Sequence, residues 1–152
     1  MLTYAPLNFI AIGIGATLGA WLRWVLGLRL NGAGWPWGTL TANLVGGYLI
    51  GVMVALIASH PEWPAWIRLA AVTGFLGGLT TFSTFSAETV DMLERGVYAT
   101  AAAYAGASLA GSLAMTGLGL ATVRLLLRAF PRTVRLSRRR ASGPGAPGGG
   151  GP

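Results

Sequence analysis

The chain has no cysteine and no lysine, a single histidine and only four carboxylates in 152 residues. Without cysteine there is neither a disulfide framework nor a thiolate metal site. The one histidine, His60, stands in the turn-forming stretch SHPEWP, which argues against a zinc or haem centre built on imidazole. A serine nucleophile within a membrane needs a neighbouring His or Lys base, and none is placed for it. These absences argue against an enzyme. Charge of either sign is scarce as well: 10% of the residues are charged, against about a quarter in an average soluble domain.

What remains is apolar, with a mean hydropathy of +0.61. Four intervals, residues 1–22, 30–59, 69–87 and 96–123, carry no Arg, His, Asp or Glu. Each is about as long as the ~20 helical residues needed to cross a bilayer core of ~30 Å. They predict transmembrane helices over about 5–28, 38–58, 67–94 and 97–126, forming one membrane domain over 1–128. The first span has no basic flank and is followed by three more, so it reads as a retained span rather than a signal peptide. Membrane β-strands do not fit, because the runs are too long and lack period-2 alternation. The expected fold is an all-α integral membrane protein with four helices per subunit.

Residues 129–152 differ in kind. After Phe130 the sequence reads PRTVRLSRRRASGPGAPGGGGP, a basic and then Gly/Pro-rich segment expected to be a disordered tail. Its arginines suit anionic lipid headgroups at about 1 kcal/mol each near the surface. No RNA-binding module accompanies them, so a nucleic-acid partner is not expected. An even number of spans puts both termini on one side, with Arg68; Arg29 and Arg95 lie on the other. The positive-inside bias is close to nil without the tail. Arg124, Arg128 and the tail point the termini inward, whereas a weakly biased core favours insertion both ways and pairing with an inverted copy.

Polar side chains inside the spans are few and patterned. Tyr104, Ser108, Ser112 and Thr116 recur every four residues, a ladder of hydroxyls about 18 Å long on one face of the fourth span. Such hydroxyls either line a polar path or bond back to the i−4 carbonyl. The second span carries Thr39, Thr41 and Asn43, whose amide can clasp a neighbouring helix or offer donors to an anion. Arg23 either snorkels to the interface or makes an aqueous entrance positive. Small residues at Gly15 and Gly19, and at Gly47 and Gly51, make GxxxG faces that allow close helix approach, within one subunit or between two. Four helices are few to enclose a polar pathway, so a homodimer is expected.

The third span holds GFLGGLTTFSTFS, residues 74–86. Gly77 and Gly78, followed by Thr80 and Thr81, predict a break in the helix there. Non-helical backbone in a membrane must be buried in protein or line a cavity, and freed carbonyls suit a hard cation such as Na+. Phe82 and Phe85 share a face beyond the break, either as packing or with their positive ring edges toward an anion. Glu88 is placed to line a vestibule, while Asp91 and Arg95 form a solvated i,i+4 pair.

Three stretches, GATLGAWLRW, GTLTANLVGGYLIG and GFLGGLTTFSTFSAE, in this order resemble the small four-helix fluoride channels of the Fluc or CrcB family over about residues 5–128. The resemblance implies an antiparallel, dual-topology homodimer in the bacterial inner membrane, with two anion pores. It implies one structural Na+ at the dimer centre, held by the backbone carbonyls of Gly77 and Thr80. Phe82, Phe85 and Asn43 would contact fluoride, Tyr104, Ser108, Ser112 and Thr116 would form a polar track, Thr39 and Glu88 would stand beside it, and Arg23 would lie near a vestibule. Passive fluoride export is the implied function. A small dual-topology drug exporter, which needs an intramembrane carboxylate, and a non-transporting membrane scaffold are the alternatives.

Overall fold

The computed structural model describes residues 6–32 and 34–129, so most of the expected tail, residues 130–152, lies outside the described residues. The chain runs through α1 (Pro6–Leu30), α2 (Trp37–Ser59), α3 (Ala65–Arg68), a π-helical segment π1 (Leu69–Leu76), α4 (Gly77–Leu79), α5 (Phe82–Glu94) and α6 (Tyr98–Ala129). Elements α3 to α5 form one interrupted span, Ala65–Glu94, and with the other three give four helices long and apolar enough to cross a membrane. This is a multi-pass membrane protein. The expected helix ends hold to within a few residues, and α6 continues through Ala129 into the first position assigned to the tail.

Burial is the reverse of a soluble protein's. Leu7, Ile10, Ile14 and Leu18 of α1, and Leu109, Leu113 and Leu118 of α6, face outward on helices whose backbone polar groups are satisfied internally. Tryptophans mark the two ends. Trp35 and Trp37 stack with ring centroids 5.2 Å apart where α1 leads into α2, while Trp63 lies in the connection to the third span and Trp66 in its first turn, as interfacial aromatics do. The buried core is small. Leu40, Met92, Ala101 and Tyr104 form one cluster, and Ala42, Leu76 and Leu79 form the other.

Glycine explains how so little side-chain volume holds four helices. A Cβ on Gly51 would stand 2.9 Å from Leu120 N and 3.0 Å from the Thr116 carbonyl carbon, and one on Gly119 would meet Val52 N at 2.9 Å. Helices α2 and α6 therefore touch backbone to backbone. On the opposite side, Gly15 and Gly19 of α1 press against the Phe75 and Leu79 backbone of the third span. Both GxxxG faces are thus consumed inside the subunit.

The break in the third span falls later than its sequence suggests. Gly77 and Gly78 remain helical, and the backbone turns extended only at Thr80 (φ −80°, ψ 152°) and Thr81 (φ −150°, ψ 120°). Gly78 serves packing, since a Cβ on it would lie 3.1 Å from the Ala16 Cα, whereas Gly77 is exposed. β-Branched threonine is at ease in extended backbone, which is why the interruption settles there. Helix α5 then ends in a Schellman turn, with Gly96 at φ 73°, Gly96 N donating to Leu93 O and Val97 N to Met92 O, both at 3.0 Å.

Packing of this kind is testable. Gly51→Ala should lower the thermal midpoint in detergent, at a cost of about 1–3 kcal/mol for overpacking. Gly13→Ala, whose Cβ meets nothing within 4 Å, should match or exceed the wild type. Equal loss in both variants would refute the backbone-contact account.

Candidate functional site

The break is held by one side chain. Asn43 Oδ1 accepts from Thr81 N at 2.8 Å, and Asn43 Nδ2 donates to Thr81 O at 3.0 Å. The amide thus pairs with the extended residue as a neighbouring peptide would in a sheet. Thr81 in turn caps α5, its Oγ1 accepting from Thr84 N at 3.1 Å. Upstream, Thr80 N and Thr80 Oγ1 both donate to Leu76 O, at 3.0 and 2.8 Å. Among the described residues, no backbone N–H of residues 81–84 donates to the carbonyls of Gly77, Gly78, Leu79 or Thr80. A negative helix end and a positive one, the latter at Phe82, therefore meet at this point.

Beside the break lies a cleft of about 460 Å3, bounded by α2, the third span and α6. Asn43, Thr80, Thr81, Ser108 and Ser112 supply its polar groups; Gly46, Gly47, Ile50, Val72, Leu76 and Leu109 supply apolar wall. Among the described residues, no ionisable side chain lines it. Phe82 and Phe85 enter from the start of α5 with ring centroids 5.7 Å apart. Phe82 is 79% exposed, on the outer face of the four-helix unit. Ser108 is 6% exposed, and its Oγ has no hydrogen-bond partner among the described residues. Leaving a buried hydroxyl unpaired costs about 1–3 kcal/mol.

Only part of the predicted ladder lines the cleft. Thr116 bonds back to Ser112 O at 2.9 Å, the local alternative that threonine in membrane helices often takes. Tyr104 is fully buried and belongs to a second cluster toward the α1–α2 loop. Its hydroxyl donates to Glu88 Oε2 at 2.6 Å, and Thr39 Oγ1 donates to Glu88 Oε1 at 2.7 Å. Rings connect the two clusters: Trp35 stands edge-on to Tyr104 at 5.8 Å, and Tyr104 lies 5.4 Å from Phe85. Arg23 is half-buried on α1 and does not line the cleft. Asp91 and Arg95 pair at 3.0 Å, as an exposed i,i+4 pair should.

One role and one residue escape a reading of the sequence. Thr81, read there only as part of the break, also caps α5, and its spacing to Thr84 has the form of an N-cap. Asn31, in the loop, accepts from Gly38 N at 2.7 Å and donates to Glu88 Oε1 at 3.3 Å. Only the turn-like dipeptide Asn31–Gly32 hinted at its place.

A family model described as CrcB-like protein, Camphor Resistance (CrcB), matches residues 10–120. The chain belongs to the CrcB family. A Bordetella bronchiseptica protein named fluoride-specific ion channel FluC is 98% identical over 128 residues, covering 84% of this chain and 100% of that protein. The protein of the same name from Bordetella avium is 69% identical over 81% of this chain and 98% of its own length. That from Thiobacillus denitrificans is 55% identical over 78% and 97% respectively. Within this CrcB chain, the matched segment contains the Asn43 clasp, the cleft and the Glu88 cluster.

The clasp makes a stability prediction. Asn43→Ala leaves both the N–H and the C=O of Thr81 unpaired within the membrane span, and should destabilise the protein by at least about 2 kcal/mol. Asn43→Asp, which keeps an acceptor for Thr81 N, should fall between it and the wild type. Thermal unfolding in detergent reads the order; an Asn43→Ala protein melting with the wild type would show that the break needs no clasp.

Proposed function

We propose that this chain forms a passive fluoride-specific channel of the bacterial inner membrane, carrying fluoride out of the cytoplasm down its electrochemical gradient. The observation that carries the reading is the cleft at the break. It offers hydroxyls, an amide, ring edges and a positive helix end, without a carboxylate, in a chain whose relatives are named fluoride-specific ion channels. Fluoride is small and strongly hydrated, so a pore must replace its water with close donors, and a larger halide gains less from a narrow path. A negative-inside potential moves one charge with about 2.3 kcal/mol per 100 mV, enough to drive the anion outward. A drug exporter is disfavoured by the fate of Glu88, whose two oxygens are engaged by Tyr104 and Thr39.

The working unit in this proposal is a homodimer of antiparallel copies. Phe82 and Gly77, both exposed on one subunit, would be covered by the second copy, and Arg29 and Arg95 on one side against Arg68 on the other favour neither orientation strongly, Arg124, Arg128 and the tail being the inward bias. The carbonyls of Gly77 and Thr80, lacking backbone donors, have the oxygen chemistry that a hard cation prefers. Two carbonyls from one chain do not complete a cation's shell, and the same pair from a second copy would give four. A Na+ held there would serve as a structural tie between the copies, neutralising the negative helix ends.

Purified protein in liposomes, assayed with a fluoride electrode and with valinomycin to dissipate the potential, tests the reading. Fluoride should leave rapidly while chloride is retained. Phe82→Ile, which removes a ring from the outer face without touching the core, should cut the rate at least tenfold with assembly intact. Retention of fluoride by vesicles that contain folded protein would overturn the channel assignment.

A further inference from the structure

We propose that Asn31, in the loop between α1 and α2, is a positioning residue that holds Glu88 in place at the mouth of the anion pathway. The inference rests on the fluoride-channel reading and adds a residue to it. Asn31 uses both ends of its amide. Oδ1 accepts from Gly38 N at 2.7 Å and Thr39 N at 3.3 Å, capping the first turn of α2 from the preceding loop. Nδ2 donates to Glu88 Oε1 at 3.3 Å and to Thr39 Oγ1 at 3.4 Å. The Thr39 hydroxyl passes the same polarity on, donating to Glu88 Oε1 at 2.7 Å. One planar group thus ties α1, α2 and α5 together and completes a directed set of hydrogen bonds whose members strengthen one another.

The surroundings are shaped for this amide. The Asn31 backbone is fixed at both ends, its N–H donating to Gly27 O at 3.0 Å and the residue bridging to Pro36. A Cβ on Gly38 would meet the Leu26 carbonyl first and Asn31 Oδ1 at 2.8 Å, so the glycine admits both the α1 backbone and the amide. Outside the cluster is a second cavity of about 220 Å3, whose wall includes Asn31, Glu88, Asp91 and Arg95. Glu88 therefore stands between this outer cavity and buried Tyr104, which leads through Phe85 to the cleft. A carboxylate in that position repels an approaching anion unless its oxygens are turned onto donors. Tyr104 holds one oxygen; Thr39, backed by Asn31, holds the other.

The two roles of the amide can be separated. Asn31→Asp keeps an acceptor at the start of α2, where a negative group is favoured, but removes the donor to Glu88 and sets a second carboxylate against it. Its thermal midpoint should stay within a few degrees of the wild type while fluoride efflux from liposomes falls at least tenfold. Adding Glu88→Gln reverses the donor and acceptor, so the double variant N31D/E88Q should release fluoride several-fold faster than N31D alone. Should N31D fail to fold, Asn31→Ser, which retains a short acceptor for the cap, takes its place and should lower efflux about threefold without the added charge. A folded N31D with wild-type efflux, or a double variant no faster than N31D, would overturn the proposal. Failure of the wild type itself to release fluoride in the same vesicles would strike the channel reading instead.

Discussion

Everything else in this molecule depends on the paired hydrogen bonds between the Asn43 side chain and the Thr81 backbone. A membrane tolerates a span that stops being helical only if the freed N–H and C=O groups find partners in protein. Primary amides are the side chains whose shape and polarity match a peptide group, with one donor edge and one acceptor edge. Asn43 therefore allows two extended residues near the middle of an otherwise continuous span. From that allowance follow the cap on α5, the placement of Phe82 and Phe85, and the carbonyls that face away from any backbone donor. The same residue that looks like a ligand for an anion is first a structural member.

Close packing of the remaining helices keeps this interruption in register. Because α2 meets α6 through glycine, and α1 meets the third span through glycine, few large side chains stand between the elements and small shifts are resisted by backbone contact. A Cβ on Gly46 would collide with Thr80 Cγ2, so the helix that carries Asn43 also accommodates the break directly. Both GxxxG faces are used internally, so in the dimer proposed above the second copy would have to be met by other surfaces, among them the face that bears the cleft.

The spans, their number and their approximate ends were legible in the sequence, because long intervals without charge have few physical outcomes in water or lipid. Phe82, Phe85, Asn43 and Ser108 could be singled out, since polar or patterned residues are costly where lipid is the solvent. The sequence places the break at the Gly77–Gly78 pair and the threonines after it, and only the threonines leave the helix. Low helix propensity at Gly77 and Gly78 is a local signal, and it was outweighed by the helix packing of Gly78 against Ala16 and by the partner that Asn43 offers at Thr81. Nor could spacing alone divide the hydroxyl ladder, since whether Thr116 bonds back to Ser112 or Ser108 stays unpaired is decided by neighbours on other helices. Asn31 was hidden for the same reason: its contacts join positions far apart in the chain.

The distribution of charge gives the site its final logic. Among the described residues no ionisable side chain lines the cleft, although arginines are available at the span ends. A fixed positive charge inside would bind a small anion strongly and hold it, whereas conduction requires sites favourable enough to enter and weak enough to leave. Hydroxyls, an amide, ring edges and a helix N-terminus each supply a partial positive charge, and none supplies a whole one. The Glu88 carboxyl, outside the cleft lining, is engaged at both oxygens, one by Tyr104 and the other by Thr39 and Asn31. A path assembled from dipoles, with its one carboxylate held aside, can replace the water of a strongly hydrated anion in several modest steps. Selectivity in such a path comes from how closely the donors approach, and that closeness is set by the same glycine contacts and the same Asn43 clasp that hold the helices together.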